Sequence, residues 1–157
     1  MKKIALFVMV MALAVAGLSF AQAKPDFSGK WLLDTAKSDP MGGRGGGGAV
    51  PATPATPAPM TVKQTATDLT QEVVRGENTM TTVFKLDGTE SVNKTQRGES
   101  KSTAKFDGAK LVIKTTQEGP NGATETTASW SLSADGKELT IVRTTQRGDT
   151  KQVYAKQ

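Results

Sequence analysis

The chain of 157 residues contains no cysteine and no histidine, and only 5% of it is aromatic. Without cysteine there is no disulfide, no thiolate nucleophile and no thiol to carry a lipid, so the folded part rests on its core alone. Without histidine the commonest general base and metal ligand is missing, and no Gly-x-Ser-x-Gly elbow replaces it. These gaps exclude most hydrolytic and metal-dependent chemistry, and the expectation is a protein that is not an enzyme, with no cofactor and no bound metal. No apolar run is long enough to span a bilayer, so stable membrane insertion is not expected. The longest run, residues 4–18, is preceded by Lys2 and Lys3 and followed by Ala21-Gln22-Ala23. That order of charged start, short apolar core and small-residue site reads as a signal peptide over residues 1–23, cleaved after Ala23. The mature chain is then a monomer, periplasmic or secreted. Removing the leader with its two lysines leaves 18 basic against 15 acidic side chains, a net charge of +3. Charge so modest and so scattered, with so few stacking side chains, excludes nucleic acid as a partner.

What the sequence has in quantity is turns. From Asp68 onward, reversal signals recur every 8 to 13 residues and alternate in kind: Thr67-Asp68, Arg75-Gly76, Asp87-Gly88, Arg97-Gly98, Asp107-Gly108, a loop over residues 118–122, Asp135-Gly136 and Arg147-Gly148. Asp-Gly between alternating runs marks a tight hairpin, because the turn needs a positive φ that glycine adopts without steric cost. In a meander every second turn lies at the same end of the sheet. One end therefore collects Asp68, Asp87, Asp107 and Asp135, and the other collects Arg75, Arg97, Glu118 and Arg147.

Two-residue turns fix a register by position. They place Ala104 opposite Leu111, Asn93 opposite Ser102, Phe84 opposite Ser91, Leu69 opposite Phe84, Trp130 opposite Ile141, Ala128 opposite Arg143 and Arg143 opposite Gln152. Cross-strand partners share a face. One face then carries Trp31, Val62, Leu69, Val73, Phe84, Leu86, Ala104, Phe106, Leu111, Ile113, Trp130, Leu132, Leu139, Ile141 and Tyr154. The other carries Glu72, Lys94, Lys101, Lys105, Lys110, Lys114, Glu125 and Lys151. Period-two segregation over this many strands predicts an all-β domain over residues 24–157. The expected form is a closed or nearly closed antiparallel up-and-down meander barrel of about 8–10 strands. Residues 40–59, rich in Gly, Ala and Pro, bury little and read as a flexible loop that leaves the first strand at the Arg end.

Gly29-Lys30-Trp31, followed by Asp34 and the Lys37-Ser38 pair, resembles the first strand of the lipocalins and of bacterial lipocalin-like exported proteins. The resemblance implies a lipocalin-like barrel with a closed end at the start of that strand, an open end under the first long loop, and a basic side chain over Trp31, a place that falls to Lys156.

Inside the barrel the large apolar residues gather toward the Asp end, whereas Thr95, Ser100, Thr115, Gln117, Thr124, Thr126, Thr145 and Thr150 lie toward the Arg end. Arg143 is the one charged side chain the register turns inward at mid-strand, with Gln152, Tyr154 and Trp130 as neighbours. A buried guanidinium needs an anion, several acceptors or water. One reading is a site for a small amphipathic or hydrophobic, fatty-acid-like anion. Its ligand-binding residues are Arg143, Gln152, Tyr154, Trp130, Gln117 and Asn93. The internal Arg and Tyr are similar to those of fatty-acid-binding proteins, where they form Arg-x-Tyr on one strand; here they sit on two. Against it stands a structural arginine, stacked on Trp130 or reaching water through the polar half. The alternative function is a protein-interaction or inhibitor module of the cell envelope with a filled barrel.

Overall fold

The computed structural model describes residues 24–39, 58–95, 98–119 and 122–157. The leader at residues 1–23 and residues 40–57 of the Gly/Pro-rich stretch lie outside the described residues. The rest is all β: β1 (Gly29–Leu33), β2 (Met60–Gln64), β3 (Asp68–Arg75), β4 (Asn78–Lys85), β5 (Glu90–Thr95), β6 (Gly98–Asp107), β7 (Lys110–Gly119), β8 (Gly122–Leu132), β9 (Glu138–Thr145) and β10 (Gly148–Lys156). They form one antiparallel sheet in the order β4-β3-β2-β1-β10-β9-β8-β7-β6-β5. The meander curls until first and last strands pair, with Trp31 opposite Lys156 and Leu33 opposite Tyr154. The barrel is nearly closed. Its two edges, β4 and β5, lie side by side without a backbone ladder between them.

All fifteen apolar residues assigned inward by periodicity belong to the core or pack against it, joined by Phe27 and Met60. The lysines assigned outward are exposed. The register follows prediction in part. Leu69 faces Phe84, Trp130 faces Ile141 and Ala128 faces Arg143. Elsewhere it is displaced by two residues: Ala104 faces Ile113, Asn93 faces Ser100 and Arg143 faces Thr150. The cause is where the glycine sits in the turn. Gly148 pairs with Thr145, whose hydroxyl donates to the Gly148 carbonyl (3.1 Å), so Gln146 and Arg147 make the reversal. Thr95 and Gly98 close their hairpin in the same way, with a bond of 2.8 Å. At the other end Asp107 pairs with Lys110, and Gly108-Ala109 makes the turn. A shift of two keeps each side chain on its face, so the core survives the error.

Residues ahead of β1 plug the Asp end. Phe27 is fully buried, stacked on Phe106 (6.5 Å between centroids) and edge-on to Trp130 (5.9 Å). Gln64 holds this lead-in: its amide oxygen accepts from the Phe27 N–H (3.1 Å) and its amide nitrogen donates to the Pro25 carbonyl (3.0 Å). The Trp31 indole donates to the Phe27 carbonyl (3.0 Å), and Lys156 Nζ stands 5.4 Å from the Trp31 ring centroid. Gly29 makes that stacking possible, because a Cβ there would lie 2.8 Å from Lys156 Cε, and its φ of 148° disfavours any other residue.

After β1 a single turn carries the chain back along β10. Ser38 Oγ donates to the Asp34 carbonyl (2.6 Å) and accepts from the Val153 N–H (2.8 Å), while the Asp39 N–H reaches the Lys151 carbonyl (2.8 Å). Val153 points outward by alternation and is nonetheless buried.

Candidate binding site at the open end of the barrel

Along the same strands the lumen changes character. Toward the Asp end it is solid: Trp31, Leu69, Leu111, Leu139 and Ile141 are 0% exposed, and Trp130 2%. Past the level of Met60, Ile113 and Ile141 the inward residues begin to meet solvent. Leu33, Val73, Ala128, Thr115, Gln117, Thr126 and Gln152 are half-buried, and Met80, Thr124, Arg143 and Thr150 are exposed. The mouth has two unlike walls. The β1–β4 side offers Leu33, Met60, Val73 and Met80, with the Gln71 amide on the Met60 sulfur (2.9 Å). The β5–β8 side offers hydroxyls and amides: Ser102 and Thr115 share a hydrogen bond (2.9 Å), and Gln117 Nε2 donates to Thr95 Oγ1 (3.1 Å). By the register no carboxylate faces inward among the described residues.

Arg143 lies on the inner face but is not buried, which corrects the expectation of a buried guanidinium at mid-strand. It is exposed, between Ala128 on β8 and Thr150 on β10. Both neighbours are small, and no hydrogen bond or ion pair joins Arg143 to another described residue. Gln152 lies opposite Ile141 rather than Arg143, and Gln152 Oε1 accepts from the Tyr154 hydroxyl at 3.3 Å. Trp130 belongs to the plugged half, between Leu111 and Ile141 across the strands, so Arg143 does not share its level. Gln117 is half-buried at the mouth.

Asn93 performs a different task. Its Oδ1 accepts from the Val83 N–H and its Nδ2 donates to the Val83 carbonyl, both at 2.9 Å, and Ser91 Oγ accepts from the Lys85 N–H at 2.8 Å. Side chains on β5 thus satisfy the edge of β4 where a ladder is missing. This replaces the predicted backbone pairing of Phe84 with Ser91. The ligand-binding set read from the sequence does not include Leu33, Met60 and Met80, although period two from Trp31, Val62 and Phe84 places all three on the inner face.

At the opposite end three aspartates are held as anions by hydrogen bonds. Asp26, Asp87 and Asp135 lie below their ordinary value of 3.8, chiefly because the hydroxyls of Ser28, Thr89 and Ser133 donate to them. No group of three His, Cys, Asp or Glu among the described residues is placed to hold a metal ion.

No family model matches this chain, and no curated protein matches it in sequence. Solved structures share its fold. The REP1-NXSQ fatty acid transporter is 12% identical with a TM-score of 0.59, the match covering 83% of this chain and 96% of that one. A point mutant of the same transporter is 16% identical with a TM-score of 0.63, over 83% of this chain and 98% of the other. The likeness is one of fold, a nearly closed antiparallel barrel.

Proposed function

We propose that this chain is an exported, lipocalin-like, non-catalytic carrier that binds a small amphipathic ligand in the mouth half of its barrel. One observation carries the reading: an arginine without a partner among the described residues stands on the inner face of a solvent-reached lumen, across from an apolar wall. A carboxylate or similar anion completes Arg143, with Gln152, Thr150 and Gln117 as further donors, and the apolar part lies on Leu33, Val73 and Met80. Tyr154 and Trp130 support the pocket from beneath, and Asn93 keeps the barrel shut. Likeness of fold to a fatty acid transporter agrees with this class of ligand. Displacement of a fluorescent anionic amphiphile from the purified mature chain tests it. Arg143→Gln is expected to weaken an anionic probe at least about tenfold and to leave its neutral alcohol analogue unchanged. Equal binding of both probes by both proteins removes the proposed anion site.

A second reading has its own observation. Val74, Val83 and Val92 are 42%, 38% and 55% exposed on the outer side of β3–β5, beside the unladdered edges. In that case the filled barrel is a scaffold and this outer patch meets a protein. No amphiphile binds, and Val83→Lys with Val92→Lys abolishes capture of the partner without changing thermal stability.

A further inference from the structure

The lumen has a floor, and its height limits the ligand. Three apolar side chains from three parts of the sheet form it: Met60 at 2% exposure, Ile113 at 3% and Ile141 at 0%. A void of water size beside any of them would show as exposed surface, so the space beneath is filled by Trp31, Leu111, Trp130 and Leu139. Above the floor the inward positions on β9 are Arg143 and Thr145, exposed and half-buried. From Ile141 to Thr145 is about 13 Å of strand, or about 10 Å along the axis of a barrel with tilted strands.

Resting on the binding reading above, we infer that the cargo is a short amphiphile held with its head outward. Its anionic group sits at the rim, within reach of the exposed Arg143 guanidinium, and its apolar part, at most on the order of eight carbons given the floor-to-rim depth, ends on Met60, Ile113 and Ile141. The polarity of the walls sets this direction. Arg143, which has no partner among the described residues, stands near the mouth, and the deep end offers a tail nothing but packed hydrocarbon to displace. A long acyl chain has to leave its far end in water or expel a core side chain, at a cost comparable to opening a packed interior.

A chain-length series reads this directly: hexanoate, octanoate, decanoate, tetradecanoate and octadecanoate, each measured for Kd by probe displacement on the mature protein. Affinity should rise about fourfold per methylene while the added carbon is buried, then level off near octanoate or decanoate. Met60→Ala lowers the floor and should move the plateau to longer chains; Ile141→Val should do so by less and keeps the fold if the first variant does not. A rise that continues to octadecanoate, or a plateau that neither variant moves, overturns the inference while leaving an amphiphile site in place. Absence of binding at every length overturns the carrier reading itself, and this inference with it.

Discussion

The two ends of the barrel are built from the same strands and the same alternation, yet one is a dry core and the other is reached by solvent. On β8 the inward positions run from Thr124 and Thr126 through Ala128 to Trp130 and Leu132; on β7 they run from Gln117 and Thr115 to Ile113 and Leu111. Alternation decides which way a side chain points, and the choice of residue at each inward position decides whether the lumen there is dry. The closed half repays the chain entropy of folding through buried apolar area. The mouth half contributes less burial and keeps hydroxyls, amides and the Arg143 guanidinium within reach of solvent. On the proposed function, stability and recognition fall to different levels of one cylinder.

Substitutions that separate the levels test this division, and the largest effect belongs to the plug. Phe27→Ala removes a fully buried ring from between Phe106 and Trp130. It is expected to lower unfolding free energy by about 3–5 kcal/mol, read from the midpoint of urea denaturation. Next is the seam. Asn93→Ala leaves the Val83 N–H and carbonyl without their side-chain partners, and a loss of about 1–3 kcal/mol is expected, with faster amide exchange at Val83 than in β8. Arg143→Gln sharpens the comparison from the other side: the denaturation midpoint should stay within about 0.5 kcal/mol of the parent, because the side chain is exposed, whatever the change in binding. A large stability loss there contradicts the assignment of the mouth to recognition.

Acid gives the smallest effect, and it is expected at the closed end, where Asp26, Asp87 and Asp135 lie. Asp26, Asp87 and Asp135 have folded-state pKa values below 3.8, so their contribution is present above that value and is lost as pH falls through the lowered ones. The amides they accept from, of Ser28, Thr89 and Lys137, should shift together in NMR spectra below about pH 4.

Much of this architecture was legible because both signals are local. Glycine in a tight turn and apolar residues at every second position can be read without knowing what they touch, and they yielded a meander of about 8–10 strands, both faces and the plugged end. Register was less legible, since a glycine that closes a hairpin and one that forms the turn look alike in sequence; Gly148 and Gly108 show the two cases. The seam was hidden for a different reason. Asn93 and Ser91 read as inward polar residues, and only the arrangement of ten strands in space reveals that they serve a missing ladder. Arg143 was placed on the correct face but too deep, because alternation reports side and not height.

Indole N–H resonances provide the most direct measurement, since the only two tryptophans, Trp31 and Trp130, both lie in the closed half. Titrating the mature protein with octanoate should shift the amides of Thr115, Gln117, Arg143 and Gln152 and leave both indole signals in place. Movement of the indoles at the first additions, with mouth amides unmoved, would contradict the division of the lumen into a filled base and a binding mouth.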